Sequence, residues 1–552
     1  MELIKNYLPR TEFASYEDFK ENFRIQVPDD FDFARDIVDR WAAQEPDKTA
    51  LVYCNDEGFA RKFSFAELSQ LSKRAAAYFI SLGIKPGDRI LTLLRRRYEY
   101  WICAVAMARI GAVVVPASIQ LTEKDIIYRV DSAKAKLVIA LNDPFVLEQV
   151  KNLREKCPSL LDILIVGDQP QEQYRGFNQE YIEYDEWNHY SGCANSDEMI
   201  IYFTSGTTGY PKMAIHNRTY PLGHILTAKY MQCVQNNGLH LTQSDSGWAK
   251  FGWGNIYGQW ICGSAILAYD PVRFNPRNLL QALERYKPTS LCIPPTMYRF
   301  LLREGLEKKH VESVQWFSTA GEPLSGEVNK EFHRITGHYI HEGYGQSEGT
   351  PITCGFPWLP VRPSSMGKPS PLYQVALIRP DGTLCEQGEE GEVVIFTNGQ
   401  NQLGLLTAYY ASGEMINPVQ NGIYHTGDIA YEDKDGYYWY VGRNDDMIKC
   451  SGYRIGPFEV ESVLNTHPAV RESAIIGHPD EIRGQIVCAV ILLNQGYTPS
   501  DELTKELQDY VKQNTAPYKY PRKIVYLPDF PKTTSGKIMR RKLRDIIISQ
   551  VV

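Results

Sequence analysis

"MIIYFTSGTTGYPK", Met199 to Lys212, runs a short apolar stretch into a loop of four Ser and Thr residues, two glycines and a lysine. A buried strand that empties into so many small donors suits a phosphate. Backbone N–H groups and hydroxyls cradle its oxygens, and a lysine supplies a point charge. Glycine lets the backbone come close. The stretch is not a Walker A loop, because the spacing fails and Met213 follows the lysine. A surface turn rich in Ser and Thr is the other reading.

Outward from this loop, helix and strand signals alternate. Ser64 and Glu67 form a capping box ahead of Phe65, Leu68, Leu71, Ala75, Phe79 and Leu82, and Gly83 ends that helix. "PGDRILTLL", "AKLVIA", "LDILIVG" and "TSLCIP" read as buried strands between helical stretches. The alternation predicts an α/β fold: a large N-terminal domain of largely parallel, mixed sheets with helices. Near residue 440 the pattern changes. "DGYYWYVGRNDDMIKCSGYRIGPFEVESVL" reads as a strand pair, a polar turn and a helix beginning near Pro457. Further strands, a helix from Asp501 to about Asn514 and a basic tail follow. This predicts a small, mobile α+β domain at 447–552, joined to 1–442 by four polar residues, Arg443 to Asp446, able to act as a hinge.

The totals bound the function. The chain has 552 residues, 43% hydrophobic and 23% charged, an ordinary globular composition. A net charge of −7 gives no reason to expect a nucleic acid partner. "MELIKNYLPRTEF" lacks the apolar core of a signal peptide. The most apolar window, "WICAVAMARIGAVVVPAS", is interrupted by Arg109 and ended by Pro116, so it reads as a buried helix, Trp101 to Ile110, and a strand, Ala112 to Val115, with no membrane insertion. Eleven scattered cysteines without a CxxC pair fit neither a disulfide framework nor a zinc site and point to a cytoplasmic location.

Three further stretches carry chemistry. "AGEP" and "HEGYGQSE", at Ala320 to Pro323 and His341 to Glu348, offer an aromatic ring for a purine and a carboxylate for Mg²⁺, a hard ion that takes oxygen ligands. A plain glycine-rich loop is the alternative. In "YHTGD", Tyr424 to Asp428, the acid after a glycine turn can accept from a ribose diol or be solvated by water. In "PKTTSGKIMR", Pro531 to Arg540, a lysine on a mobile segment can reach a reacting phosphate or carboxylate, or belong to a solvated basic tail.

In this order, and together with "GRNDDMIKCSGYRIGPFEVE", these stretches resemble the adenylate-forming superfamily of acyl-CoA synthetases, aryl-CoA ligases, luciferase and adenylation domains. The likeness covers essentially the whole chain. It is closer to AMP-forming medium-chain acyl-CoA synthetases in "SAKAKLVIA", "SGYRIGPFEVE" and "TAPYKYPRKI", and "GWGNIYGQW" resembles an archaeal relative that uses branched short acids. The resemblance implies an acid–thiol ligase. Its substrates are a carboxylic acid, ATP with Mg²⁺, and coenzyme A. An acyl-adenylate forms and diphosphate leaves, then the CoA thiol takes the acyl group and AMP leaves.

The resemblance also implies roles. Thr204, Ser205, Gly206, Thr207, Thr208, Gly209 and Lys212 would hold the β- and γ-phosphates. Gly321, Glu322, Pro323, Glu342, Gly343, Tyr344, Gly345 and Gln346 would frame the adenine. Ser347, a threonine in most members, and Glu348 would meet the α-phosphate and Mg²⁺, with Asp428 and Arg443 at the ribose. Lys537 would catalyse the first step and Asp445 would be the pivot of the hinge. After rotation Gly452 would line the pantetheine tunnel and Arg454 would meet AMP. Ser451, Tyr453, Arg483, Lys512, Tyr520 and Arg522 would hold CoA, or form a solvated basic face. Acetate enzymes carry a tryptophan where this chain has Gly345, so an open pocket floor is expected; Trp248, Trp253 and Trp260, the last two on one helix face seven residues apart, would wall the pocket or simply pack the core. Short, medium or branched acids then fit. An aryl acid such as benzoate, a carrier-protein thiol as acceptor, and a non-catalytic CoA sensor are the competing expectations.

Overall fold

The computed structural model describes residues 2–169, 173–204, 211–399, 402–411, 413–450, 453–480, 483–532 and 537–549, with backbone alone at Lys449, Tyr453, Arg454 and Pro517. These residues form four sheets. In the first, Arg89–Leu93, Val113–Pro116, Leu137–Leu141 and Asp162–Val166 run parallel, and Val113–Pro116 leads on to Glu198–Thr204. In the second, Thr49–Asn55, Ala265–Asp270, Leu239–Thr242, Ser290–Cys292, Trp316–Ala320 and Ile340–Tyr344 run parallel side by side. Their strands are buried along most of their length, which is why they read as continuous apolar runs and not as alternating ones.

Two helices bind these sheets together. Phe65–Ser81 starts where expected, with the Ser64 side chain accepting from the Glu67 N–H, and ends before Gly83 at φ +88°. Glu99–Ile110 is buried on every side. Their side chains join residues of both sheets in one core. Arg109 is fully buried there; Asp39 accepts from two of its guanidinium nitrogens at 2.6 and 2.8 Å, while its Nε is left without a partner among the described residues. Among the described residues no helix is long and apolar enough to cross a membrane.

The third sheet is antiparallel and includes Glu390–Phe396, Ile423–Glu432 and Tyr438–Arg443. The fourth holds Ile448–Cys450, Tyr453–Ile455, Val470–Asp480, Gly484–Leu493 and Lys523–Tyr526. Helices Pro457–Leu464 and Asp501–Asn514 cover one face of it and Arg540–Ser549 the other. The chain leaves the third sheet at Arg443 and enters the fourth at Ile448.

Candidate active site

The strand Glu198–Thr204 and the strand Lys212–Asn217 are a hairpin, with Thr204 opposite Lys212. Ser205 to Gly209 lie outside the described residues. Lys212 therefore stands at the mouth of the loop. Its ammonium lies over the ring of Tyr409, 5.5 Å from the centroid, and the Tyr409 hydroxyl donates to Glu348 at 2.9 Å. Tyr409 sits on Ala408–Ala411, which pairs with Lys212–Asn217. The expected phosphate lysine and the expected Mg²⁺ carboxylate are thus tied through one aromatic ring. His216, on the same hairpin strand, bonds the Ser347 carbonyl at 2.8 Å through Nε2. Burial holds this imidazole down to about 4, so it is neutral near pH 7.

Asp428 gathers the next group. It accepts from Tyr344 at 2.6 Å, Gln346 at 2.6 Å and Arg443 at 3.4 Å. Tyr424 in turn donates to Gln346 at 2.8 Å. The two segments expected to frame adenine are each held by a carboxylate. Thr296 donates to Glu322 at 2.7 Å, and Glu342 accepts from the Leu324 N–H at 3.1 Å. Gly321, at φ +101°, makes the turn into Pro323. Gly343 lies against the flexible end of Met231, whose Cε would stand 2.3 Å from a Cβ there. Burial in this strand raises the Glu342 carboxyl to about 8.

Lys250, not singled out by sequence, lies beside the Ala320–Gly321 turn. Its amine donates to the Ala320 carbonyl at 2.7 Å, and its stem lies 3.9 Å from where a Gly321 Cβ would be. Desolvation lowers its pKa, and the nearby charge of Lys537 lowers it further. Among the described residues no three His, Cys, Asp or Glu side chains gather as a metal cage. One carboxylate such as Glu348 suits an ion that arrives on nucleotide phosphates and keeps its waters.

The pocket floor differs from expectation. Gly345 does not open a void, because Trp253 fills it: a Cβ on Gly345 would meet Trp253 Cη2 at 2.6 Å. Trp260 is not a wall. The helix Ala249–Asn255 breaks at Ile256, φ −157° and ψ −64°, before the turn Tyr257–Ile261 begins, so Trp253 and Trp260 share no face. Trp260 is buried against Phe33 and Phe65 and donates to the Ala50 carbonyl at 2.9 Å. Trp248, half-buried, precedes the first helix.

In the C-terminal part, Lys512 lies 4.4 Å and Arg522 4.8 Å from the Tyr520 ring centre, and Arg522 donates to the Tyr520 hydroxyl at 2.7 Å. Arg483 opens the strand whose Val487 carbonyl accepts from the Arg522 N–H. Ser451 and Gly452 lie outside the described residues, and of Tyr453 and Arg454 only the backbone is described. Arg443 reaches Asp445, itself exposed, at 3.5 Å.

Residues 38–405 match the AMP-binding enzyme family and 459–537 the AMP-binding enzyme C-terminal domain. The human mitochondrial acyl-coenzyme A synthetase ACSM3 is 38% identical over 544 residues, covering 96% of this chain and 92% of that protein. Human ACSM4 is 39% identical over 531 residues, 94% of this chain and 91% of its own. Among solved structures, the anthranilate CoA ligase AuaEII bound to anthranoyl-AMP has a TM-score of 0.86 at 27% identity, covering 95% of this chain and 99% of its own. The benzoate CoA ligase from Burkholderia xenovorans has a TM-score of 0.80 at 25% identity, covering 93% of this chain and 100% of its own. The chain belongs to the AMP-binding enzyme family, among its acyl-coenzyme A synthetases.

Proposed function

We propose that the protein is an AMP-forming acyl-CoA synthetase acting on short or branched carboxylic acids. The carboxylate oxygen attacks the α-phosphate of ATP, the P–O bond to diphosphate breaks, and the acyl-adenylate forms. The CoA sulfur then attacks the acyl carbon and AMP leaves. Adenylation is needed because a carboxylate is a charge-delocalised, poor electrophile with oxide as its leaving group. The observation that carries this reading is the run of contacts from Lys212 over the Tyr409 ring to Glu348, in a chain that belongs to the acyl-coenzyme A synthetases. Lys537 would supply a cation where charge develops between carboxylate and α-phosphate.

Glu348 would hold Mg²⁺, which neutralises phosphate charge when bound. Tyr409 orients that carboxylate, and Asp428 is pre-formed for a ribose diol by its donors Tyr344 and Gln346. Lys512, Tyr520 and Arg522 form a cluster suited to a CoA phosphate. Asp445 would be the pivot between 1–442 and 447–552 that brings this cluster round after adenylation. Trp253 on Gly345 sets the short acyl limit. All eleven cysteines are unpaired, which favours a reducing compartment such as the cytoplasm.

The test is one competition. Purified protein with MgATP and CoA receives equal acetate, butyrate, isobutyrate, 2-methylbutyrate, octanoate and benzoate, and thioesters and AMP are read by mass spectrometry. A dominant four- to six-carbon thioester is expected. The likeness to benzoate and anthranilate ligases favours a second reading, an aryl acid, which benzoyl-CoA as main product would establish. AMP without any thioester would point to a protein-borne thiol.

A further inference from the structure

Lys537 is held by its neighbours in sequence. Lys532 and Ile538 form an antiparallel bridge, and the Met539 N–H donates to the Pro531 carbonyl at 2.8 Å. Directly beyond, Arg540 opens the last helix and turns its side chain inward. One guanidinium nitrogen reaches both oxygens of Glu461, at 2.6 and 2.7 Å, and another stands 4.0 Å from Asp446. Glu461 lies on the helix Pro457–Leu464, is 7% exposed, and also accepts from the Ile475 N–H at 2.8 Å. Arg544, one turn along, stands 3.8 Å from the same Asp446. The sequence offered Arg540 only as part of a basic tail.

We infer that Arg540 is a positioning residue for adenylation: its pairing with Glu461 fixes the base of the Lys537 segment, and so fixes where the Lys537 amine stands against the acyl carboxylate and the α-phosphate. The inference rests on the proposed role of Lys537. Two physical points carry it. A guanidinium held by a buried carboxylate is a rigid anchor, unlike an exposed ion pair. Only two residues separate that anchor from Lys537, and a displacement of about 1 Å at a reacting group can cost about 10²-fold in rate. The partners Glu461, Asp446 and Arg544 all follow Asp445 in the chain. They therefore travel with the C-terminal part when it turns, and the thioester step does not depend on where Lys537 points.

The experiment compares two half-reactions on the full chain, using the best acid from the panel: acid-dependent ATP–diphosphate exchange, and CoA thioester formation from supplied acyl-adenylate. Arg540→Gln is expected to lower exchange kcat by about 10-fold or more with KM for ATP within about two-fold, and to leave the thioester step within about two-fold. Arg540→Lys should recover part of the loss, since it keeps the charge but not the planar guanidinium. If Arg540→Gln leaves Glu461 stranded and the protein unfolded, the Glu461→Gln, Arg540→Gln pair removes the unpaired charge and is measured instead. Equal loss in both half-reactions, or no loss in exchange, overturns the inference. Lys537→Ala separates the two failures. If it loses exchange while Arg540→Gln does not, the anchor alone is wrong; if it keeps exchange, the role given to Lys537 is wrong and the anchor falls with it.

Discussion

Trp253 and Gly345 are one feature, since each shape requires the other. The indole occupies the space a Gly345 side chain would need, at 2.6 Å from its ideal Cβ. Trp253→Ala should therefore deepen the acyl site, raising kcat/KM for hexanoate over isobutyrate by about 10-fold. The buried indole is also core, so the same change should lower stability by about 3–5 kcal/mol. An unchanged preference would put the acyl end elsewhere. Glu342 makes a second residue-scale case. Burial raises its carboxyl from 4.5 to about 8, so over that range the folded protein keeps a proton that the unfolded chain has lost. Stability from this group must then fall as pH rises. Glu342→Gln keeps an acceptor for the Leu324 N–H and removes the slope. Its melting temperature should gain steadily on the parent between pH 5 and 8. His216 and His341, both held to about 4, act below pH 6.5 and in both proteins alike, so they cancel in the difference. A pH-independent difference would mean that Glu342 is ionised in the fold.

At the scale of elements, the site is a meeting of strands. Lys212–Asn217 brings Lys212 and His216, Ala408–Ala411 brings Tyr409, and Ile340–Tyr344 delivers the turn to Glu348. Tyr409→Phe keeps the ring under Lys212 but removes the donor to Glu348. A hydrogen bond to a charged group is worth about 1.5–3 kcal/mol, so exchange should drop by about 10-fold or more, with a higher Mg²⁺ requirement. An unchanged Mg²⁺ dependence would detach Tyr409 from the ion. Lys212 was legible because its whole setting is local, a strand, a glycine loop and a lysine in a single run. Tyr409 was not legible, because its ring reaches Lys212 only through a sheet pairing formed by distant segments. Lys250 was hidden in an aromatic run for the same reason. The parallel strands were legible as apolar runs bounded by turns. The face shared by Trp253 and Trp260 was misread, since helical periodicity assumes an unbroken helix and Ile256 breaks it.

At the scale of the whole molecule, two opposite demands fall on residues 447–552. For the first step Lys537 would have to reach the carboxylate and the α-phosphate. The cluster of Lys512, Tyr520 and Arg522 is built on a different part of the same fold, the helix Asp501–Asn514 and the start of Lys523–Tyr526. One rigid body cannot bring both to the acyl carbon at once, so the two chemistries should separate by mutation. Arg522→Ala removes a cation stacked on Tyr520 and a donor to its hydroxyl. It is expected to raise KM for CoA by about 10-fold, the weight of one charge-assisted phosphate contact, while diphosphate exchange stays unchanged. Lys537→Ala should show the reverse, exchange lost and thioester formation from acyl-adenylate retained. The pair is measured in one set of half-reactions with one acid. If Arg522→Ala and Lys537→Ala lose the same step, the C-terminal part presents a single face throughout catalysis, and the pivot at Asp445 has no work to do.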